Sequence, residues 1–152
     1  MKKEMSEQAR GAKNIRKELK VAFPGIKFSV RSNSFAGGNS INIEWTEGPT
    51  REEVENIANK YEQGSFDGMT DCYNYKRNCD FTDENGGAKY VQTHRNYSTG
   101  LTEKTSQKLC VEQGIKYEGE NTRHLYGDQD FERLSLHVWR KLNKTSFITN
   151  QV

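Results

Sequence analysis

At 152 residues the chain is long enough for one domain that buries roughly two-thirds of its unfolded surface. Only 32 % of it is apolar, with a mean hydropathy of −1.00, yet the apolar residues recur at helix and strand periods, which excludes a disordered chain. A net charge of +2 does not by itself mark a nucleic-acid binder, and no apolar run approaches the length of a membrane span.

The N-terminus MKKEMSEQAR lacks the apolar segment of a signal peptide, so a soluble, cytoplasmic protein without a membrane partner is expected. Cys72, Cys79 and Cys110 cannot all pair within one chain, and free thiols in a reducing compartment are expected. Charge is unevenly placed. Met1 to Arg31 holds nine Lys or Arg against three Glu, a net of +6, whereas Glu44 to Glu84 holds four basic and eleven acidic residues, a net of −7.

A first helix is predicted over Met5–Ala22, with Met5, Ala9, Ala12, Ile15, Leu19 and Ala22 as its apolar stripe. Pro24-Gly25 ends it and opens a β-hairpin running to Gly48. Ile26, Phe28 and Val30 in one strand, and Ile41, Ile43 and Trp45 in the other, alternate with polar residues and mark one buried face. The stretch Ser32–Ser40, glycine-rich and polar, reads as a flexible hairpin loop. It leads into a strand, not a helix, which argues against a phosphate cradle.

Thr50 and Glu53 form a capping box ahead of a second helix that buries Val54, Ile57, Ala58 and Tyr61, with Gly64 as its C-terminal cap. From Ser65 to Ala88 the periodicity is lost. A third strand is predicted over Lys89–Tyr97, beside the hairpin. A helix over Gly100–Gln113 ends at Gly114, a polar loop covers Lys116–Gly127, and a last helix runs over Gln129–Asn143. The last helix is capped by Asp128 and buries Phe131, Leu134, Val138 and Leu142, with Trp139 at its edge. The expected fold is a single α+β domain, 1–152, with a three-stranded, mainly antiparallel sheet, helices packed on one face and two additional C-terminal helices.

Candidate chemistry is sparse. The cysteines with His94, His124 or His137 lack the spacing of a zinc site, so no metal or cofactor is expected. Asp67 and Asp71 would share one side if their segment were helical, although Gly68 weakens a helix there and capping of turns explains both. An enzyme centred on Asp67, Asp71, Cys72 and His94 would need these groups to share a pocket, and a non-enzymatic protein is preferred. Aromatic and basic residues interleave at Tyr73–Arg77 and again from Tyr90 through Arg95 to Tyr97, the equipment of single-strand nucleic-acid binding.

Three stretches in order, FPGIKFSVRSNSFAGGNSINIEWTEGPTREEVENI, FDGMTDCYNY and GGAKYVQTHRNYS, resemble the large polyvalent protein-associated domain family of phages and conjugative elements. The resemblance covers about Ile15 to Tyr97, leaving 98–152 as a helical extension. It implies a mobile-element setting and an accessory factor, and it carries no catalytic residues over. The resulting expectation is a non-enzymatic interaction module that counters host defence by binding a host protein through Arg31, Asn33, Asp67, Asp71, Tyr73, Tyr75, His94 and Arg95. The alternative is a nucleic-acid binder using Lys13, Arg16, Lys17, Lys20 and Tyr97 with the strand aromatics.

Overall fold

The first helix, α1 (Glu7–Ala22), forms where its stripe predicts, and it presents Gly11, Ala12, Ile15 and Leu19 as its buried side. Met5 stands ahead of the helix and is exposed, as is Ala22 at its end, because the buried stripe runs on to Phe23 instead. The structure is a computed structural model describing residues 4–76, 80–117, 123–126 and 130–148. It divides into two compact units, Met1–Asn96 and Tyr97–Val152.

In the first unit, β1 (Ser29–Phe35) pairs antiparallel with β2 (Gly38–Thr46). The expected loop Ser32–Ser40 is mostly strand. Only Ala36 and Gly37 form the turn, and Gly37, at φ 91°, supplies the left-handed residue it needs. Alternation is invisible in this stretch because both of its sides meet water, so no apolar residue marks a face. At the other end β1 starts late. Ile26 and Phe28 lie before it, and Phe28 packs between the Phe23 and Trp45 rings at centroid distances of 6.0 and 5.8 Å.

After β2 the Thr50 capping box forms as expected: Glu53 N–H donates to Thr50 Oγ1 at 3.3 Å and Thr50 N–H to Glu53 Oε2 at 2.6 Å. The helix it opens, α2 (Arg51–Ala58), gives way to a 3-10 turn, Asn59–Tyr61, so Gly64 is not its cap. Gly64 instead begins the hairpin β3 (Gly64–Asp67) and β4 (Cys72–Tyr75), which is followed by the short helix α3 (Asp80–Asn85). The region that seemed aperiodic thus holds three small elements, each too short to show a period.

The strand β5 (Tyr90–Asn96) joins the sheet beside β2, giving the order β1-β2-β5. The three-stranded α+β arrangement is as expected, but β5 runs parallel to β2, because α2 carries the chain back across the sheet before β5 begins. Helices α1 and α2 cover one face, where Val30, Ile41, Ile43 and Trp45 are buried with Val54, Ala58 and Tyr61. The second helix closes on β5 through a part-buried polar contact: Thr93 Oγ1 donates to Glu55 at 2.9 Å and accepts from Arg51 at 2.9 Å.

Glycines set the approach of α1 to the chain entering β5. A Cβ at Gly11 would stand 2.9 Å from the Gly87 amide nitrogen and 3.1 Å from Ile41 Cδ1. Gly86, at φ 80°, would place one 2.4 Å from the Gly11 nitrogen.

The second unit contains α4 (Thr99–Gln113), which ends at left-handed Gly114, and α5 (Leu134–Asn143). Cys110, Leu134, Val138 and Leu142 form its core, with Tyr97, Leu101 and Leu109 packed against it. The last helix starts five residues later than predicted, since Asp130–Arg133 is a strand, β7, paired antiparallel with β6 (Arg123–Tyr126). Phe131 therefore belongs to a strand, while Asp128, the expected cap, lies outside the described residues. Trp139 is exposed, as its edge position implied. No described helix is long and apolar enough to cross a membrane.

Candidate functional site

Helices cover one face of the sheet in the first unit; the other face is polar and open. Strand parity and register place Arg31 beside Asn42 and Gln92, and Ser29 beside Glu44 and His94. Arg31, Asn33, Glu44, Gln92, His94 and Asn96 are exposed there. Parallel ladders are ordinarily covered on both faces, so an open one dense in hydrogen-bonding side chains is unusual.

One end of this face carries rings. Phe35 and Tyr90 stack with centroids 6.3 Å apart and planes at 19°. The β3–β4 hairpin adds Tyr73, edge-on to Tyr90 at 5.5 Å and to Tyr75 at 4.7 Å. The Tyr73 hydroxyl donates to the Lys89 carbonyl, which ties the hairpin to the start of β5. Two glycines make room. A Cβ at Gly64 would meet Tyr73 Cε1 at 2.7 Å, and one at Gly38 would meet Phe35 Cε2 at 3.3 Å. Lys89 Nζ lies 4.9 Å from the Tyr73 centroid and 5.6 Å from that of Tyr90, within cation–π range.

The corner is half anchored and half free. Burial, reinforced by the charge of Glu62, pushes the Tyr73 phenol up to about 12, so it stays protonated and holds its hydrogen bond. Tyr75 is 62 % exposed, and Phe66, on the same hairpin side by register, is 55 % exposed. Phe35 is 44 % exposed.

The structure sorts the residues singled out in the sequence. Arg31, Asn33 and His94 share the open face, and Tyr73 and Tyr75 form the corner beside it. Arg95 points to the covered side, where its Nε and Nη2 donate to the carbonyls of Glu47 and Gly48, both at 2.9 Å, so it fixes a turn. Asp67 caps its own hairpin turn, accepting from the Met69 amide at 2.9 Å and the Thr70 hydroxyl at 3.0 Å. Those bonds, the Met69 amide foremost, hold its carboxyl below the usual range. Asp71, at φ 51°, is the left-handed residue of that turn. The two carboxylates therefore serve a hairpin, because the segment is β and not helical.

The four groups of the enzyme reading do not assemble. Cys72 sits exposed at the hairpin turn beside Asp67, while His94 lies four residues beyond Tyr90, about 13 Å along β5. Among the described residues no three His, Cys, Asp or Glu side chains gather where they could hold a metal ion. Cys110 is buried, which raises its thiol pKa, and Cys79 and Arg77 lie outside the described residues.

The nucleic-acid set is divided too. Lys13, Arg16, Lys17 and Lys20 lie on α1, on the covered side of the sheet, whereas the rings are on the opposite face. Tyr97 belongs to the second unit, where its hydroxyl donates to Asn143 Oδ1 at 2.5 Å. Phe35, Phe66 and Lys89 were missed. Their only sequence signal was proximity to Gly37-Gly38, Gly64 and Gly86-Gly87, the glycines that let rings and backbone approach.

A family model described as large polyvalent protein associated domain 29 matches residues 6–98, well over half the chain. The chain belongs to that family. Its members are domains associated with phages and mobile elements. The polyvalent protein associated domain coincides with the first unit to within a few residues at each end and includes α1, all of which precedes the three stretches that resemble the family. It carries both the open face and the ring corner. No curated protein and no solved structure matches the chain.

Proposed function

We propose that the chain is a non-enzymatic accessory module of a mobile-element protein, acting in the cytoplasm of a host cell by binding a host protein. The observation that supports it is the ring corner, Phe35, Phe66, Tyr75 and Tyr90, set at the end of an open face of Arg, His, Asn and Gln side chains. Exposed Tyr and Arg beside apolar rings is the composition of protein-interface hot spots, where rigid rings fill pockets and amides satisfy the rim. Interference with a host defence is the role such an accessory would serve.

The test is capture of host-cell protein by the full chain after nuclease treatment, with Tyr75→Ala and Phe66→Ala each compared with the parent. Truncating a central ring should weaken capture of one discrete protein by about tenfold or more. Equal capture by both variants would remove the ring corner from the interface.

A second reading draws on Lys89, whose ammonium sits over two rings: stacking platforms with a nearby cation also bind single-stranded nucleic acid. Anisotropy with labelled single-stranded oligonucleotides at about 50 and 200 mM salt decides it. Affinity that falls steeply with salt and with Tyr75→Ala supports this reading, and absence of binding at the lower salt ends it.

A further inference from the structure

The sheet has one unfinished edge. On the β5 side, Glu62 bridges Ala88 and its carboxylate accepts from the Val91 amide at 3.2 Å. On the β1 side no described strand follows. Phe35 and Gly38 close a two-residue turn, so their main-chain groups face each other. Counting back by twos, Asn33 and Arg31 also face β2, while Ser34, Ser32 and Val30 turn their amides and carbonyls outward. Arg16 marks the same direction independently, because its Nη2 donates to the Val30 carbonyl at 2.6 Å. The Ser34 amide donates to its neighbour Asn33 Oδ1 at 3.0 Å. The outward amide and carbonyl of Ser32 bond to no described residue. The strand has neither the proline nor the bulge that usually blunts an edge.

Helix α1 adds charge along this edge. With Ile15 facing the sheet, Arg16 lies on one flank of the helix, with Lys20 and Lys13 further round the same side and Lys17 at the pole opposite the sheet. The other flank is engaged. Glu18 accepts from Lys60 and Tyr61, and Asn14 and Arg10 donate to the carbonyls of Asn85 and Asp83. Since Arg16 reaches Val30, the basic flank is the one beside β1. Lys13, Lys17 and Lys20 are exposed and form no ion pair among the described residues.

We propose that β1 is a docking edge for an extended peptide segment with Asp or Glu at alternate positions, supplied by a protein partner. Strand addition would pair its backbone with Ser32, and the side chains on its α1 side would pass the small Ser32 and Ser34 to reach the lysines. The dimensions agree. Lys13 to Lys20 spans about 10 Å of helix, and three alternate positions of a strand span about 13 Å. Phe35 of the ring corner ends β1, but this docking uses the Ser32 main chain and the lysines, so either surface can fail without the other.

The test uses the full chain and a fluorescein-labelled peptide of about eight residues alternating Glu and Val, near 50 mM salt. A peptide of the same composition with its glutamates in one block is the control. Tighter binding of the alternating peptide is expected. Ser32→Pro should weaken it about fivefold, as loss of one main-chain hydrogen bond would. Joint reversal, Lys13→Glu and Lys20→Glu, should weaken it about tenfold, and Tyr75→Ala should leave it unchanged. Hydrogen exchange guards against a misfolded proline variant: in the parent protein the Ser32 amide should exchange at least about tenfold more slowly with peptide bound. Equal affinity for the two peptides, unchanged Ser32 exchange, or displacement of the peptide by an oligothymidylate at lower concentration than by unlabelled peptide would overturn the proposal.

Discussion

Replacing Gly11 with alanine tests the packing of the first unit through the sign of its effect. Glycine in a helix interior ordinarily costs about 0.5–1 kcal/mol relative to alanine, so at a solvated position the change would stabilise the helix by that amount. Here the new methyl would lie 2.9 Å from the Gly87 nitrogen and 3.0 Å from its Cα, which are backbone atoms held by the Ala88 amide bonding to the Tyr61 carbonyl at 3.0 Å. Forcing an extra methyl into a tight contact costs about 1–3 kcal/mol, so the net should be a loss of up to about 2.5 kcal/mol, centred near 1 kcal/mol. Urea unfolding followed by Trp45 fluorescence in a Trp139→Phe background measures it, since Trp45 is buried in this unit and Trp139 is exposed in the other. The midpoint should fall by about 1 M. A Lys17→Gly change on the exposed side of the same helix should lose about 0.5–1 kcal/mol from propensity alone. A rise in stability for Gly11→Ala would refute the close approach of α1 to Gly87.

Thr50→Ala should cost about 1 kcal/mol in the same assay, because it removes half of the capping box. Asp67 has a carboxyl held low in the folded state, so its support for the β3–β4 turn is present above the ordinary carboxylate pKa and is lost as pH falls through the folded value. The protection factor of the Met69 amide, its exchange relative to the intrinsic rate at each pH, should therefore fall at acid pH in the parent chain, and Asp67→Asn should flatten that fall. In a Cys79→Ser background, Cys72 should react promptly with a thiol reagent at neutral pH and Cys110 only on unfolding, given their exposure and the raised Cys110 thiol.

How much of this was legible depended on whether an element had one wet and one dry side. Helix α1, the capping box and the inward residues Val30, Ile41, Ile43 and Trp45 could be read because each alternates burial with exposure over several turns or pleats. The far half of the hairpin could not, since Arg31 to Phe35 is exposed on both sides and four of its five residues are polar, which resembles a loop. The parallel pairing of β5 was hidden for a different reason. Strand direction follows from the path of α2 across the sheet, and Tyr90 to Asn96 carries no apolar face to orient it. At the candidate site, Tyr73 and Tyr75 drew notice by composition, and His94 and Arg31 met on one face by register alone. Arg95 looked equivalent to its neighbours, yet strand parity turned it to the covered side, where two carbonyls occupy it. Asp67 and Asp71 could be read as turn residues because Gly68 disfavours a helix there, and the tight turn they serve is the one between β3 and β4.

The most direct test of a protein-binding ring corner is site-specific photo-crosslinking in a host cell, with benzoylphenylalanine in place of Tyr75. The control carries the same probe at Val111, which is more accessible than Tyr75 and lies in the other unit. A single nuclease-resistant protein adduct at position 75, absent from the Val111 control and lost when Arg31 and His94 are also changed to alanine, is the expected result. Adducts that vanish with nuclease, or identical adducts from both positions, would contradict the assignment of this corner as a protein-binding surface.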